Sequence, residues 1–87
     1  MVDNRQIKSC LVDIGLIGED DSIFPDESLF DRGSMDSLGL VSLVSELTSR
    51  FKIKVPDEDL LPDNFDSIES IARYVNAKLS TATYGRA

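Results

Sequence analysis

The chain has 87 residues, enough for one domain, and a domain this small buries only about 60–65% of the surface that its unfolded chain would expose. Sixteen acidic residues against nine basic ones give a net charge of −7, which argues against nucleic acid and anionic membranes as ligands and makes basic proteins the natural partners. With no histidine and a single cysteine, the chain has no Ser–His or Cys–His dyad, no imidazole metal ligand and no internal disulfide, so neither a self-contained hydrolase nor a zinc enzyme fits it.

The chain opens with Val2, Asp3, Asn4, Arg5 and Gln6, which lack the apolar run of a signal peptide, and no later stretch approaches the ~20 residues of a membrane-spanning helix. The expected location is the cytoplasm. No repeat or linker divides the sequence, which reads as a single domain over 1–87 with its core at about 5–79. The first few residues and a flexible tail over 80–87 are the expected loose ends.

In the first predicted helix Ile7, Cys10, Leu11 and Ile14 fall within an arc of ~100°, the width of one buried stripe. Asp3 or Asn4 caps its start and Gly15 ends it. Cys10 lies inside the stripe and is read as a small core side chain rather than a reactive thiol. Residues 15–36 form a connection too long to be structureless. They carry Leu16, Ile17, Ile23, Phe24, Leu29, Phe30 and Met35, too apolar a set for a floppy linker. This loop is expected to be pinned to the bundle and to deliver Gly33 and Asp36 to the next helix. The acidic run Glu19, Asp20 and Asp21 lacks the alternating ligands and central glycine of a calcium loop and reads as solvated charge.

The second predicted helix runs from Ser37 to about Phe51, with Leu40, Val41, Leu43, Val44, Leu47 and Phe51 in an arc of ~160° that suits a central helix. Leu38 breaks the pattern, falling on the opposite face among Ser42, Ser45 and Ser49. Pro56 and Pro62 then bracket Asp57, Glu58, Asp59, Leu60 and Leu61, room for a single helical turn that starts on solvated carboxylates. The last helix begins at Asp66 and Ser67, where Asp66 and Glu69 have capping-box spacing, and presents Ile68, Ile71, Ala72, Val75 and Leu79 as a stripe of ~100°. The fold class is all-α: a small four-helix bundle of three main helices and one short one, with a long ordered loop between helices 1 and 2.

The string Leu29-Phe30-Asp31-Arg32-Gly33-Ser34-Met35-Asp36-Ser37-Leu38, followed by Val41, Leu43, Val44, Leu47, Phe51, Val55-Pro56, Phe65 and Ile68, resembles the acyl and peptidyl carrier proteins across roughly residues 5–79. The resemblance implies that Ser37 is the attachment site of a 4′-phosphopantetheine arm, and that the chain is a carrier rather than an enzyme. It implies a separate phosphopantetheinyl transferase, working on coenzyme A with Mg²⁺, since Ser37 has no base of its own. An adenylating ligase or an acyltransferase would load the arm, and downstream biosynthetic enzymes would unload it. Asp36 then reads as helix cap first and transferase-recognition residue second. Gly33 reads as a permissive turn position with a weaker part in recognition.

Fatty-acid-type carriers dock through an acidic second helix, and this sequence departs from that pattern. Its outer face holds Ser42, Ser45, Glu46, Thr48, Ser49 and Arg50, followed by Lys52 and Lys54, so one acid stands against three bases. The sequence looks more like stand-alone peptidyl, D-alanyl or aminoacyl carriers, with partners docking around Leu38, Ser42 and Ser45. The expected species is a monomer with an aminoacyl or peptidyl cargo. Two other readings fit the composition: a carrier of fatty or polyketide chains, and a small helical adaptor that binds a protein through the Leu38 face without any covalent arm.

Overall fold

The structure, a computed structural model, describes the backbone of residues 1–85 and the side chains of residues 1–80. Helix α1 (Asn4–Asp13) starts at a full capping box: the Asp3 carboxylate accepts from the Gln6 N–H, and the Gln6 side chain accepts from the Asp3 N–H, both at 2.9 Å. It ends at Gly15, whose φ of 82° lets the Gly15 and Leu16 N–H groups turn back onto the Val12 and Leu11 carbonyls. Ile7, Cys10 and Leu11 are fully buried. The N-terminus is not loose, because Val2 is buried and its N–H and carbonyl are both paired with the Asn76 side-chain amide.

Helix α2 (Ser37–Phe51) buries Gly39, Leu43 and Leu47, while Leu40, Val44 and Phe51 pack at the rim of the core. Val41, expected in the apolar arc, is 63% exposed. It sits at the edge of that arc, and the neighbours of α2 do not reach so far around the helix. Beyond α2, residues 57–59 make a single 3-10 turn and α3 (Pro62–Phe65) a second short turn. Pro62 therefore opens a helical turn at a position that needs no N–H, rather than closing the preceding one.

Helix α4 (Ile68–Gly85) packs on α1 and α3, and α1 packs on α2. Its cap differs from the expected Asp66–Glu69 pair. Ser67 and Ser70 cap each other, each hydroxyl accepting the other's backbone N–H at 3.0 Å, which frees the Asp66 side chain for a different task. The helix continues into the stretch expected to be a flexible tail, with Arg86 and Ala87 outside the described residues.

The loop of residues 15–36 contains no helix among its turns, yet it is part of the core, since Ile17, Leu29 and Met35 are buried and Leu16, Ile23 and Phe30 pack against them. Phe24 is the exception, 74% exposed. The backbone on either side of it is held in place, its own N–H on the Glu27 carboxylate and the Pro25 carbonyl on the Glu69 N–H, and the ring points outward. Tyr74 on α4 donates to Asp59 at 2.6 Å, Lys78 reaches the same carboxylate at 3.0 Å, and the Phe65 and Tyr74 rings meet at a tilt of 59° with centroids 4.9 Å apart. Those contacts fasten the segment between α2 and α4 to the last helix.

Candidate functional site

The head of α2 is the place where the sequence concentrates its unusual residues. Asp36, in extended backbone conformation, is the N-cap, and its carboxylate accepts from the Gly39 N–H at 2.8 Å. A cap of this kind satisfies one of the donors that a helix start leaves open, and it keeps the carboxylate engaged with backbone. Ser37 is the first helical residue and is exposed. No side chain has yet wound over it from a preceding turn, so its hydroxyl faces solvent.

The approach to Ser37 is equally defined. Gly33 has a φ of 83°, the left-handed region that an L side chain rarely adopts, and it lies in open surroundings where an added Cβ would meet nothing within 4 Å. The Ser34 and Met35 N–H groups both donate to the Leu29 carbonyl, at 3.0 and 3.1 Å, and buried Met35 anchors the residue before the cap. Gly39 completes the arrangement: a Cβ there would stand 2.9 Å from a Leu16 methyl and 3.3 Å from the Asp36 carboxylate. Its missing side chain leaves room for the Leu16 side chain against the first turn of α2. The signal in the sequence was a glycine in the first turns of a predicted helix, where it costs about 1 kcal/mol relative to alanine unless a close approach requires it.

Along α2 the structure brings Leu38, Ser42 and Ser45 onto one exposed stripe, and Val41 joins them at helical spacing. Leu38 is 80% exposed, so the face begins with two apolar side chains beside Ser37 and continues as serines. Arg50 does not belong to it. Its guanidinium pairs with Asp13 on α1 at 2.6 Å and with Glu46, whereas Lys52 and Lys54 lie exposed just beyond the helix. Cys10 stays apart from the site: burial pushes its thiol above the ordinary range, and the neighbouring Arg50 offsets this only in part.

Among the described residues no group of three or more acidic or cysteine side chains is placed to hold a metal, and no helix is long and apolar enough to cross a membrane. What the head of α2 offers instead is an exposed serine at the first position of the helix.

Comparison with known proteins agrees with this geometry. Residues 5–75 match the family described as the phosphopantetheine attachment site. The chain is also 45% identical over 60 residues to the D-alanyl carrier proteins of Streptococcus pyogenes serotype M5 (strain Manfredo), serotype M49 (strain NZ131) and serotype M1, an alignment that covers 69% of this chain and 76% of each relative. Since the family pattern runs from α1 into α4 and takes in the whole head of α2, the chain belongs to the carrier proteins whose prosthetic group is 4′-phosphopantetheine.

Proposed function

We propose that Ser37 bears the phosphopantetheine arm and that the arm carries an aminoacyl thioester, with D-alanine the first cargo to test. The observation that carries this reading is the exposed Ser37 hydroxyl at the first position of α2, beside a carboxylate already engaged as the helix cap. Asp36 points to the Gly39 N–H, and the chain has no histidine, so the proton of Ser37 must be taken by a separate transferase acting with coenzyme A and Mg²⁺. Once attached, the phosphodiester lies near the positive end of the helix dipole, an attraction worth about 0.3–1 kcal/mol at an exposed site.

Three features support an aminoacyl cargo over a fatty chain. The outer stripe of α2 is Leu38, Val41, Ser42 and Ser45, with no row of carboxylates for a strongly basic partner. Depressions of about 230–260 Å³ lie on the surface, one beside Asp63, Arg73 and Tyr74 and another beside Lys8, Asp13 and Glu19. Neither is lined by α2, so neither offers shelter to an acyl chain on Ser37. Relatives 45% identical over 60 residues are D-alanyl carriers. An adenylating ligase would load the thiol, docking over Leu38 with Ser42 and Ser45 at its edge, and Asp36 and Gly33 would present Ser37 to the transferase. The compartment that supplies coenzyme A and ATP for this chemistry is the cytoplasm.

Incubation with coenzyme A, Mg²⁺ and a broad-specificity phosphopantetheinyl transferase should add one arm per chain by intact mass, and Ser37→Ala should add none. Supplying the armed protein with a D-alanine-activating ligase and ATP should then add one alanyl group. An arm found on the Ser37→Ala variant would sink the assignment.

A further inference from the structure

Asp66 stands 29 positions after Ser37 in sequence, yet a set of hydrogen bonds runs from it through the loop to Met35, two residues before Ser37. One carboxylate oxygen accepts from the Ser28 hydroxyl at 2.8 Å and from the Phe30 N–H at 3.1 Å, and the other accepts from the same hydroxyl at 2.9 Å. The Ser28 oxygen in turn accepts from the Asp31 N–H at 3.1 Å. The Asp66 carbonyl accepts from the Leu29 N–H at 2.6 Å. Leu29 then passes the constraint on, because its own carbonyl holds both the Ser34 and the Met35 N–H, and Met35 precedes the cap.

From this we infer that Asp66 is a positioning residue for the modification of Ser37: it straps residues 28–35 to the start of α4 and thereby fixes the Gly33 turn and the Asp36 cap in the form a transferase must recognise. The inference rests on the reading of Ser37 as the attachment site. Its physical basis is that the loop has no helix of its own, so its conformation depends on anchors outside it. Leu29 and Met35 bury its apolar side chains, but burial alone does not fix a polar turn such as residues 31–34. Removing the Asp66 carboxylate would leave the Ser28 hydroxyl and the Phe30 N–H without their acceptor and would release the turn. The transferase would then find a competent loop only part of the time, which raises the apparent KM for the carrier and leaves turnover of the bound complex intact.

The test uses the whole chain with Asp66→Ala, Asp66→Asn and Ser28→Ala, reading steady-state modification by a transferase at saturating coenzyme A and amide hydrogen exchange in parallel. Asp66→Ala should raise KM for the carrier about tenfold or more, as expected from loss of a charge-assisted hydrogen bond, with kcat within about twofold of wild type. Exchange should accelerate at the Phe30, Asp31 and Gly33 amides, which the carboxylate holds directly, through Ser28 and through Phe30, while Leu43, Leu47 and Val75 keep their protection. Ser28→Ala should move both readouts the same way by less, and Asp66→Asn, which keeps an acceptor oxygen, should recover most of the affinity. A wild-type KM in Asp66→Ala and Ser28→Ala, or a rise in KM matched by faster exchange throughout α2 and α4 in both, overturns the inference. If the wild-type chain itself takes no arm on Ser37, the attachment reading fails and the inference with it, whereas a modified wild type with unaffected variants removes the inference alone.

Discussion

Asp36 contributes two separable properties at the head of α2: an oxygen that caps the Gly39 N–H and a negative charge exposed to whatever docks there. Asn caps helices as well as Asp, so Asp36→Asn should leave stability nearly unchanged, while Asp36→Ala should cost about 1 kcal/mol in chemical denaturation. A transferase that reads the charge will slow on both variants, and one that reads only the helix start will slow on the alanine variant alone. Leu38→Ala should lower the rate of loading by the partner ligase with a stability change within about 0.5 kcal/mol, as befits an exposed side chain. A stability loss of several kcal/mol would mean that Leu38 supports the core. At this scale the sequence was legible wherever backbone chemistry dictates a residue type, as at Gly33, Asp36 and Gly15. It was less legible at Val41, because an apolar arc of ~160° says which side chains are able to be buried and not how much of the arc the neighbours cover.

The segment from Asp57 to Phe65 has little regular structure and is held chiefly from α4, through the Tyr74 hydroxyl, the Lys78 ammonium and the Phe65 ring. These contacts leave opposite marks on the two titrating partners. The Tyr74 hydroxyl, and after it Lys78, hold the Asp59 carboxyl below its ordinary range. A depressed folded-state value contributes stability that is full above the unfolded value of about 3.9 and is lost as pH falls through the folded one. For Tyr74, burial first and the Asp59 hydrogen bond second push the phenol upward, so its contribution is full below the unfolded value of about 10 and is lost as pH rises above it. Thermal unfolding followed against pH should therefore show a decline above about pH 10 that is much reduced in Tyr74→Phe. An equal alkaline decline in the variant would remove Tyr74 as its cause. Sequence spacing proposed Asp66 and Glu69 as the cap of the last helix, and nothing local could have corrected this. Two serines one turn apart make an equally good cap, and the partner that claims Asp66 lies 38 positions away.

For the molecule as a whole the net charge of −7 favours basic partners, yet α2 offers them little beyond Asp36 and Glu46, the latter tied to Arg50. Loading by the cognate enzyme should accordingly depend only weakly on ionic strength. Chemically attached D-alanyl and octanoyl arms should both leave the melting temperature close to that of the unloaded armed protein, because the depressions described above are not lined by α2. Clear stabilisation by octanoyl together with a steep salt dependence would make this a carrier of fatty or polyketide chains. The bundle itself was readable from hydrophobic period and caps, since α1, α2 and α4 each present an apolar stripe of helical period. The paired ends were not, and they bear on the order of events during synthesis. Val2 is paired with Asn76, 74 positions on, and the Ser37 loop is tied to Asp66, so a growing chain that has displayed only its first half holds neither constraint. Closing contacts so distant in sequence comes late in folding, after the local helices. On the reading proposed above, the loop before Ser37 gains its tie to Asp66 only once residue 66 has left the ribosome, and a translation pause between residues 37 and 66 should delay attachment of the arm.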